Sequence, residues 1–570
     1  MDMNEEVDIV HDAEATGLMD DTTIDYTASP WKPRDNFKMH VIAVREFPSG
    51  NLLAFYDGPT IVLDGRYHEV TIEGETYTLS DYEPLEYRHF PLRKFKDYVS
   101  KRKIRTATAH NGINFDLLSY KVLLDMDYVI GDTPEEDSWC GRPVYHNDTL
   151  VQSKCQNPDR FGGHSLEHLS KLAGGDLKQN FRPWLKGVDK FKHFAADMLY
   201  YNLFDVKSNY SVKVYLDKEA DGHNWSEAIQ LEKCTQDIVT QQSHRGFHYN
   251  QLKAQQNVAE LDAMMEERRV KVEPVLPPKK ATKKFLNDFT PPKRQFKKDG
   301  TTAADFEKFI AKIGAQKIVD EASGWLTHIV FDGKTIPVPL DPDVPLRTHD
   351  KATINDTTHI KEWLVSLEWS PSEYKEKDLS LKSGTKIKLT DEEYEAAVER
   401  YVEQTLNSSF CADRCEFLET SPEGLRAKLL GKRKGRGMRV RTNPSFTVGQ
   451  EKEMCRNLDK MVDKFPFAKD VVEYLTFKHR RNSILGGGAD WDEDEEPEKG
   501  FMASVRSDGR IPTPADTCGA ATSRMKHRVV ANVPRVTSLY GEPMRELFEA
   551  DPEMCYQIGY DFASLISSEG

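Results

Sequence analysis

Two carboxylates near the beginning of the chain have the spacing of metal ligands. Asp12 and Glu14 lie two residues apart in HDAEATGL, within a segment that predicts a β-strand, so both side chains project from the same face. Carboxylate oxygens at a strand end are hard ligands that can hold a divalent cation. Taken alone, such a pair is more often structural or superficial than part of a metal site.

Two further stretches make a metal site the better interpretation. Asp116 lies in HNGINFD, five residues after Asn111, at a predicted junction between a strand and a helix. Tyr201 and Asp205 lie four residues apart in YYNLFD, on one face of a predicted long helix. The three acidic stretches span about 190 residues. All three seldom occur together in one chain by chance.

Four carboxylates and a tyrosine can serve the hydrolysis of a phosphodiester. The attacking water must lie in line with the leaving oxygen while negative charge develops on the phosphate. Two cations roughly 3.5–4 Å apart lower the pKa of that water and stabilise the departing 3′ oxygen. Carboxylates from these three stretches, if the fold brings them together, could hold cations for such a reaction.

The elements that must position these residues form an α/β pattern over residues 1 to about 225. Strands are predicted in VDIVHDAE, MHVIAVREF, NLLAFYDG and IRTATAHNG, with a turn at Pro48–Asn51 between the second and the third. A short helix is predicted in DLLSYKVLLD. A longer helix is predicted in FKHFAADMLYYNLFDVKSNYSVKVYLD, where apolar residues recur every three to four positions.

The rest of the chain changes character several times. Residues 226–272 predict long helices, and residues 273–350 are rich in Pro and Lys with short strand-like pieces, which indicates an insertion or small subdomain. Helices are predicted again in HIKEWLVSL, DEEYEAAVERYVEQTL and VGQEKEMCRNLDKMVDKF. Three glycines from Gly486 and the segment ADWDEDEEPEK predict a flexible acidic loop, and residues 500–570 return to strands and short helices.

Composition describes a soluble folded protein in which nucleic-acid binding depends on local patches. Among 570 residues, 78 Lys and Arg against 93 Asp and Glu give a net charge of −15, which argues against a simple basic DNA-coating protein. Basic runs occur at Lys279–Lys298 and Lys432–Arg441, although each alone is more often solvated surface. No apolar run approaches the roughly 18 residues that span a bilayer, so no membrane contact is expected.

Cysteine usage and the first residues bear on the compartment. Cys411 and Cys415 form a close pair without a second pair or nearby His ligands, so reduced thiols are favoured over a zinc site. The acidic start lacks the basic and apolar regions of a secretory signal. A cytoplasmic protein is therefore expected.

The order of the three acidic stretches resembles the 3′→5′ proofreading exonuclease domain of DNA polymerases, the Tyr-bearing class of the DEDD nucleases. The resemblance implies that Tyr201 holds the attacking water and that Asn111 contacts DNA. It further implies two Mg²⁺ or Mn²⁺ ions bound by four carboxylates: Asp12, Glu14, Asp116 and Asp205. Between these motifs, DTLVQSKCQNPDRFGGHSLEHLSKLAG, from Asp148, resembles phage members of polymerase family A, which implies a phage-infected bacterial host.

The later segments resemble the polymerase half of family A. QSHRGFHYN followed by a long helix resembles the beginning of the thumb, and TINDTTHIKEWLVSLEWSPSEY partially matches a thumb segment at Asn355. DGRIPTPADTCGAATSRMKHRVVANVPR resembles the segment that enters the palm and touches primer–template, with Arg524 and Asn532 at matching positions. IGYDFASL resembles motif A, which implies that Asp561 binds the catalytic metals of synthesis.

The resemblance breaks inside motif A. Ile566 stands where a Glu is expected, and no fingers helix or His-Asp-Glu motif follows before Gly570. We therefore expect that this chain alone is incomplete for nucleotide incorporation, because its gene is interrupted by an intron, an intein or a split into two genes. A separate carboxy-terminal polymerase fragment is then an expected partner.

The implied fold class is an α/β RNase H-like exonuclease domain, followed by a mostly helical polymerase thumb and a partial palm. The expected domains are the exonuclease at 1–225, the start of the thumb at 226–272, an insertion at 273–350, thumb helices with an acidic linker at 351–499, and the partial palm at 500–570. The insertion is compatible with binding either a processivity factor or duplex DNA. Nothing in the sequence decides between them.

Two functions are compatible with this organisation. The first is a proofreading exonuclease and amino-terminal portion of a family A DNA polymerase, acting on single-stranded 3′ ends and primer–template. The second is a DNA-binding or assembly subunit of a split polymerase. A free-standing nuclease of RNA processing is disfavoured, because it would not need Arg524 or Asp561.

Overall fold

The computed structural model describes most of the chain. The described residues are 5–65, 68–72, 74–79, 83–160, 162–175, 181–182, 189–372, 374–378, 439–448, 453–487, 500–520 and 523–550. They belong to two compact units. The first comprises Met1–Ala254, Lys499–Val533 and Arg545–Gly570, and the second comprises Gln255–Glu498 and Pro534–Met544. No helix in the described ranges is long and apolar enough to cross a membrane.

The first unit is built on a six-stranded sheet. Its strands are β1 (Glu6–Ala15), β2 (Met39–Phe47), β3 (Leu52–Phe55), β4 (Arg88–Phe90), β5 (Lys103–Ala109) and β6 (Tyr145–Asp148), in the spatial order β6-β5-β1-β2-β3-β4. β1 is parallel to β5 and antiparallel to β2, β6 is parallel to β5, and β3 is parallel to β4. The first unit is therefore a mixed α/β structure with a central sheet.

Six helices of the described chain follow or flank these strands, and a seventh belongs to the second unit from Gln255 onward. They are α1 (Lys94–Lys101), α2 (Asp116–Leu124), α3 (Thr149–Gln156), α4 (Leu166–Ala173), α5 (Ala196–Glu219), α6 (Ser226–Arg245) and α7 (Gln251–Val272). Asp148 caps α3 by accepting from Leu150 and Val151 N–H groups, which satisfies donors that a helix leaves open at its start. Gly174 ends α4 in the left-handed conformation that suits glycine.

Both faces of β1 are covered, and each contributes buried apolar side chains. Val7 and Ile9 enter one buried cluster, whereas Val10 enters another together with Leu199 and Leu203 of α5. Near-continuous burial is typical of a strand inside a sheet with both faces packed. Since side chains alternate along a strand, the even-numbered residues of β1 point toward α5.

A buried ion pair anchors helix α6 within the first unit. Lys233 donates to Asp137 across 2.9 Å, and both side chains are fully buried. Asp137 also accepts from Gln230 and from backbone N–H groups of Gly131 and His146. These hydrogen bonds satisfy the buried carboxylate, as low-dielectric surroundings require.

Short strands complete the first unit. They are Ile24–Asp25 with Lys32–Pro33, His68–Ile72 with Glu75–Leu79, Tyr128–Val129 with Ser138–Trp139 and Arg142–Pro143, and Phe247–Tyr249 with Arg510–Ile511 and Phe548–Glu549. The segment after residue 500 thus contributes strands to the same unit as the first 250 residues.

The second unit contains a helical core and a small sheet. The core gathers side chains from α7, from a helix at Thr357–Ser366 and from a helix at Phe467–Leu485, around Ile360, Leu364 and Val471. Further helices are Lys283–Asp288 and Ala304–Lys312, and an antiparallel sheet orders Gln316–Val319, Leu326–Phe331 and Lys334–Pro337. Side chains of this sheet pack against Phe306 and Ile310 and form a separate hydrophobic cluster.

Most of the predicted elements of the first 225 residues are confirmed. The four predicted strands correspond to β1, β2, β3 and β5, the turn at Pro48–Asn51 joins β2 to β3, and the two predicted helices correspond to α2 and α5. The strand-like pieces THIVFDG and TIPVPL also form strands. The predicted helix DEEYEAAVERYVEQTL, the paired cysteines Cys411 and Cys415, and Asp561 lie outside the described residues.

One helix prediction is wrong. In VGQEKEMCRNLDKMVDKF the structure has short strands at Thr447–Val448 and Glu453–Met454 and a helix of only four residues at Arg456–Asp459. A backbone hydrogen bond from Cys455 to Phe446 closes this hairpin at 2.9 Å, and both side chains are buried. The long helix lies instead at Phe467–Leu485, directly after Pro466, a residue suited to a helix start but not to its interior.

Candidate metal centre

Three of the predicted metal-binding carboxylates meet in the first unit. Oxygen atoms of Asp12, Glu14 and Asp205 all lie within 4.8 Å of one another. Asp12 and Glu14 are even-numbered residues of β1 and therefore face α5, which carries Asp205. Glu14 and Asp205 are buried, and Asp12 is half-buried.

The fourth predicted ligand, Asp116, borders the same cleft. It is the first residue of α2, where a negative charge is favoured by the helix dipole. Its Oδ1 accepts a hydrogen bond of 3.0 Å from the backbone N–H of Ala13, between the two β1 carboxylates. Burial, followed by the charge of Asp12, raises the pKa of Asp116 well above its ordinary range. A nearby cation would offset this accumulation of negative charge.

The Asp12 carboxylate is oriented by a neighbour of the tyrosine. Asn202, fully buried on α5, donates from Nδ2 to Asp12 Oδ2 across 2.7 Å. The contact was not predicted from the sequence. It holds one oxygen of Asp12 in a fixed position.

The loop before Asp116 is held by a second buried carboxylate. Asp148 accepts from the backbone N–H groups of Asn111, at 3.0 Å, and Ile113, at 3.3 Å, in addition to its two bonds at the start of α3. Asn111 has φ 67°, a left-handed conformation that Asn tolerates better than most residues. At Gly112 an added Cβ would lie 2.4 Å from the Cβ of Ala109, so only glycine fits there.

Helix α6 supports this loop from the other side. Asn114 Oδ1 accepts from Thr240 at 2.6 Å and from Gln236 at 2.9 Å. Asn114 in turn donates to Asn111 Oδ1 at 2.6 Å. The predicted DNA-binding residue Asn111 is thereby held by neighbours on both sides.

Tyr201 lies in the wall of the same cleft. Its ring contacts Phe181, with centroids 4.8 Å apart. The adjacent Arg182 is buried and makes two hydrogen bonds to Asp197 at 2.7 and 2.8 Å. These contacts fix the aromatic residue against which Tyr201 packs.

The cleft itself is a cavity of about 1020 Å³. Its lining includes all four predicted carboxylates and Tyr201, together with α6 and the segment around Pro514, Asp516 and Arg528. Pockets for single small ligands span roughly 300–1,000 Å³, so this cavity lies at the upper end of that range. It opens between the sheet, α6 and a part of the chain about 500 residues from β1.

A buried aromatic and cationic cluster joins the walls of the cleft. Arg506 lies over the Tyr26 ring at 3.9 Å and donates to the backbone oxygens of His244 and Arg245. The Tyr26 hydroxyl contacts His244 Nδ1 at 2.7 Å. Burial lowers the pKa of His244 to about 4, so this imidazole is neutral at physiological pH.

The other predicted DNA-binding residues lie elsewhere. Arg524 and Asn532 belong to the first unit and are exposed. Asn355 belongs to the second unit, where its Oδ1 accepts from Tyr474 at 3.2 Å and Lys478 at 3.0 Å. None of these three side chains lines the cleft.

The donor set suits hard divalent cations. Asp12, Glu14 and Asp205 present only carboxylate oxygens, and oxygen-only sites favour Mg²⁺, Ca²⁺ or Mn²⁺ over softer metals. The half-buried position of Asp12 keeps one side of the cluster open to the cleft. The residues present therefore fit the predicted magnesium or manganese centre.

Comparison with known proteins gives one short match in sequence. A segment of 52 residues is 42% identical to a DNA-directed DNA polymerase of Escherichia phage Phieco32, covering 9% of this chain and 8% of that protein. No protein-family model matches the sequence. The local match agrees with the predicted kinship to phage DNA polymerases, at the level of a DNA polymerase.

A comparison of structures gives a global but distant likeness. The POL domain of Pol1 from M. smegmatis, in complex with DNA primer-template and dNTP, aligns with 96% of this chain and 55% of its own length. The identity is 10% and the TM-score 0.41.

Proposed function

We propose that the first unit is a 3′→5′ DNA exonuclease that uses two divalent cations, and that the chain belongs to a DNA polymerase of family A. The observation that carries the nuclease is the convergence of Asp12, Glu14 and Asp205 within 4.8 Å, with Asp116 and Tyr201 on the same cleft. The polymerase kinship rests on the match to the phage polymerase and on the resemblance of the sequence motifs.

The reaction is hydrolysis of the last phosphodiester of a single strand. Water supplies the new bond to phosphorus, the bond from phosphorus to the 3′ oxygen breaks, and that oxygen leaves with a proton as a nucleoside 5′-monophosphate is released. Cations held by the four carboxylates would lower the pKa of the water and stabilise the leaving oxygen. Mg²⁺ and Mn²⁺ are the ions expected there.

The residues of the chain contribute position and order. Asn202 holds one oxygen of Asp12, and the backbone of Ala13 holds one oxygen of Asp116, so both carboxylates are preorganised. Tyr201 lies one helical turn before Asp205 on α5, and both residues line the same cleft. In this proposal the Tyr201 hydroxyl orients the attacking water.

A nuclease assay on a single strand labelled at its 5′ end tests the proposal. Purified full-length protein with Mg²⁺ is expected to shorten the strand from the 3′ end, and chelation of the metal is expected to stop the reaction. Asp12→Ala is expected to abolish the activity. Asp8→Ala is the matched control, because Asp8 lies on the same strand but pairs with Arg105 at the surface. Full activity of Asp12→Ala would refute the site.

A further inference from the structure

A small cationic β-ribbon forms one wall of the cleft. Its strands, β7 (Ala515–Asp516) and β8 (Lys526–His527), pair antiparallel with Ala515 opposite His527 and Asp516 opposite Lys526. A hydrogen bond of 3.1 Å from the backbone N–H of Arg528 to Pro514 extends the pairing.

The ribbon borders the cleft through Pro514, Ala515, Asp516 and Arg528. Asp516 and Arg528 both line the cavity, and Arg528 donates to the Asp516 carboxylate. Directly opposed residues of an antiparallel pair lie on the same face, so Lys526 shares the face of Asp516. Alternation along the strand places Arg528 there as well.

The cations of the ribbon are accessible. The Arg528 side chain is 59% exposed, although it is paired with Asp516, and Lys526 is exposed. No ion pair of Lys526 occurs among the described residues. Arg524, also exposed, lies two residues before Lys526, at the end of the connecting turn.

The charge of the ribbon contrasts with that of its surroundings. The floor of the cleft carries four carboxylates, and the chain as a whole has a net charge of −15. A polyanion that delivers its end to this floor needs compensating cations along the approach. Arg and Lys supply them, because both donate charge-assisted hydrogen bonds to phosphate oxygens.

We propose that the face of the ribbon that carries Lys526 and Arg528 binds the phosphate backbone of a DNA single strand whose 3′ end lies at the carboxylates. The inference rests on the proposed nuclease function and adds a binding surface to it. Phosphate takes the place of Asp516 as the acceptor for Arg528 when the strand enters.

The salt dependence of binding tests this surface. A 20-mer oligothymidylate labelled with a fluorophore is titrated with full-length protein in Ca²⁺, at several KCl concentrations, and the dissociation constant is read from anisotropy. Each phosphate contact on a single strand contributes about 0.7 to the slope of log affinity against log salt. The double variant Lys526→Ala/Arg528→Ala is therefore expected to lower the slope by about 1.4 and to weaken binding several-fold at low salt.

A matched double variant controls for total charge. Lys218→Ala/Lys334→Ala removes two exposed lysines outside the cleft and is expected to keep the slope of the unmodified protein. Equal slopes for the two double variants would overturn the proposal. A loss of slope on a blunt duplex as large as that on the single strand would overturn it too, since the ribbon would then serve duplex DNA.

The outcome is independent of the nuclease assignment. Binding is measured without hydrolysis, so the slope reports the ribbon alone, whereas Asp12→Ala in the nuclease assay reports the carboxylates. A changed slope with an active Asp12→Ala protein would support the ribbon as a DNA contact and reject the cleft as its catalytic end.

Discussion

Asn202 donates a hydrogen bond of 2.7 Å to Asp12, linking helix α5 to strand β1 at the carboxylate cluster. The amide is fully buried, and its Oδ1 has no hydrogen-bond partner among the described residues. A buried acceptor left unsatisfied costs about 1–3 kcal/mol. Packing alone would therefore not favour an asparagine at position 202. The hydrogen bond that orients Asp12 explains why an amide side chain lies there.

Replacement of this amide is expected to weaken metal binding. Asn202→Leu keeps the approximate volume but removes the donor that holds one oxygen of Asp12 in place. Loss of a residue that orients a ligand typically weakens metal affinity by about 10–100-fold. The dissociation constant for Mn²⁺, measured by electron paramagnetic resonance without DNA, is expected to rise within that range.

Asn209→Ala is the matched control for that experiment. Asn209 is another buried asparagine of α5, but it accepts from Thr149 rather than contacting the cluster. Its loss is expected to lower thermal stability and to leave Mn²⁺ affinity unchanged. If both variants bound Mn²⁺ equally, Asn202 would have only a structural role.

The buried pair of Lys233 and Asp137 predicts a large effect on stability. Lys233→Met leaves the carboxylate of Asp137 buried without its cation, a change that costs about 3–5 kcal/mol in comparable pairs. Lys218→Met, at an exposed position of α5, is expected to change stability by less than about 0.5 kcal/mol. Urea unfolding followed by hydrogen exchange in peptides from α6 measures the difference. Equal stability of the two variants would contradict the prediction.

Three buried histidines predict that the first unit is unstable in acid. Burial lowers the pKa of His11 to about 3 and the pKa values of His146 and His244 to about 4. In the unfolded chain these side chains take up protons below about pH 6.5. In the folded unit His146 and His244 do not do so until about pH 4, and His11 not until about pH 3. Their stabilisation is therefore complete above pH 6.5 and is lost as the pH falls toward 4, or toward 3 for His11.

A single variant isolates one of these protons. His244→Phe keeps an aromatic ring beside Trp31 and Tyr26 but cannot bind a proton. Between pH 6.5 and 4, the slope of unfolding free energy against pH is expected to become shallower by about 1.4 kcal/mol per pH unit. Chemical unfolding at a series of pH values decides the matter, and an unchanged slope in His244→Phe would count against a neutral buried imidazole.

The local parts of the site could be predicted from the sequence, because the periodicities of strands and helices depend only on residues that are close together in the chain. Alternation placed Asp12 and Glu14 on one face of β1, and helical spacing placed Tyr201 one turn from Asp205. The helix predicted in VGQEKEMCRNLDKMVDKF is wrong for a related reason. Buried Phe446 and Cys455 pair across a hairpin there, and a helical period cannot reveal such a pairing.

Contacts between distant segments could not be read from the sequence. The ribbon at Asp516 and the amide of Gln236 meet the cleft through tertiary packing, and Gln236 donates to the Ala515 backbone at 3.3 Å across 279 residues. No periodicity encodes that separation. The sequence indicates that Asp148 ends a strand, in Asp-Thr-Leu. It does not reveal the four backbone N–H groups from which Asp148 accepts hydrogen bonds in the folded structure.

Removal of one hydroxyl should separate catalysis from metal binding. Tyr201→Phe keeps the ring that packs on Phe181 but removes the group proposed to orient water. Positioned groups that assist proton transfer typically contribute about 10²–10⁴-fold, and an orienting hydroxyl is expected at or below the lower end of that range. Single-turnover rates on a single strand at saturating protein should fall accordingly, while Mn²⁺ affinity stays constant because no carboxylate is altered.

Tyr200→Phe provides the control, since the Tyr200 hydroxyl lies 3.3 Å from the backbone N–H of Glu83 and does not line the cleft. An unaltered rate in Tyr201→Phe would assign water orientation to another group, and a matching loss of Mn²⁺ affinity would assign Tyr201 to the architecture of the centre.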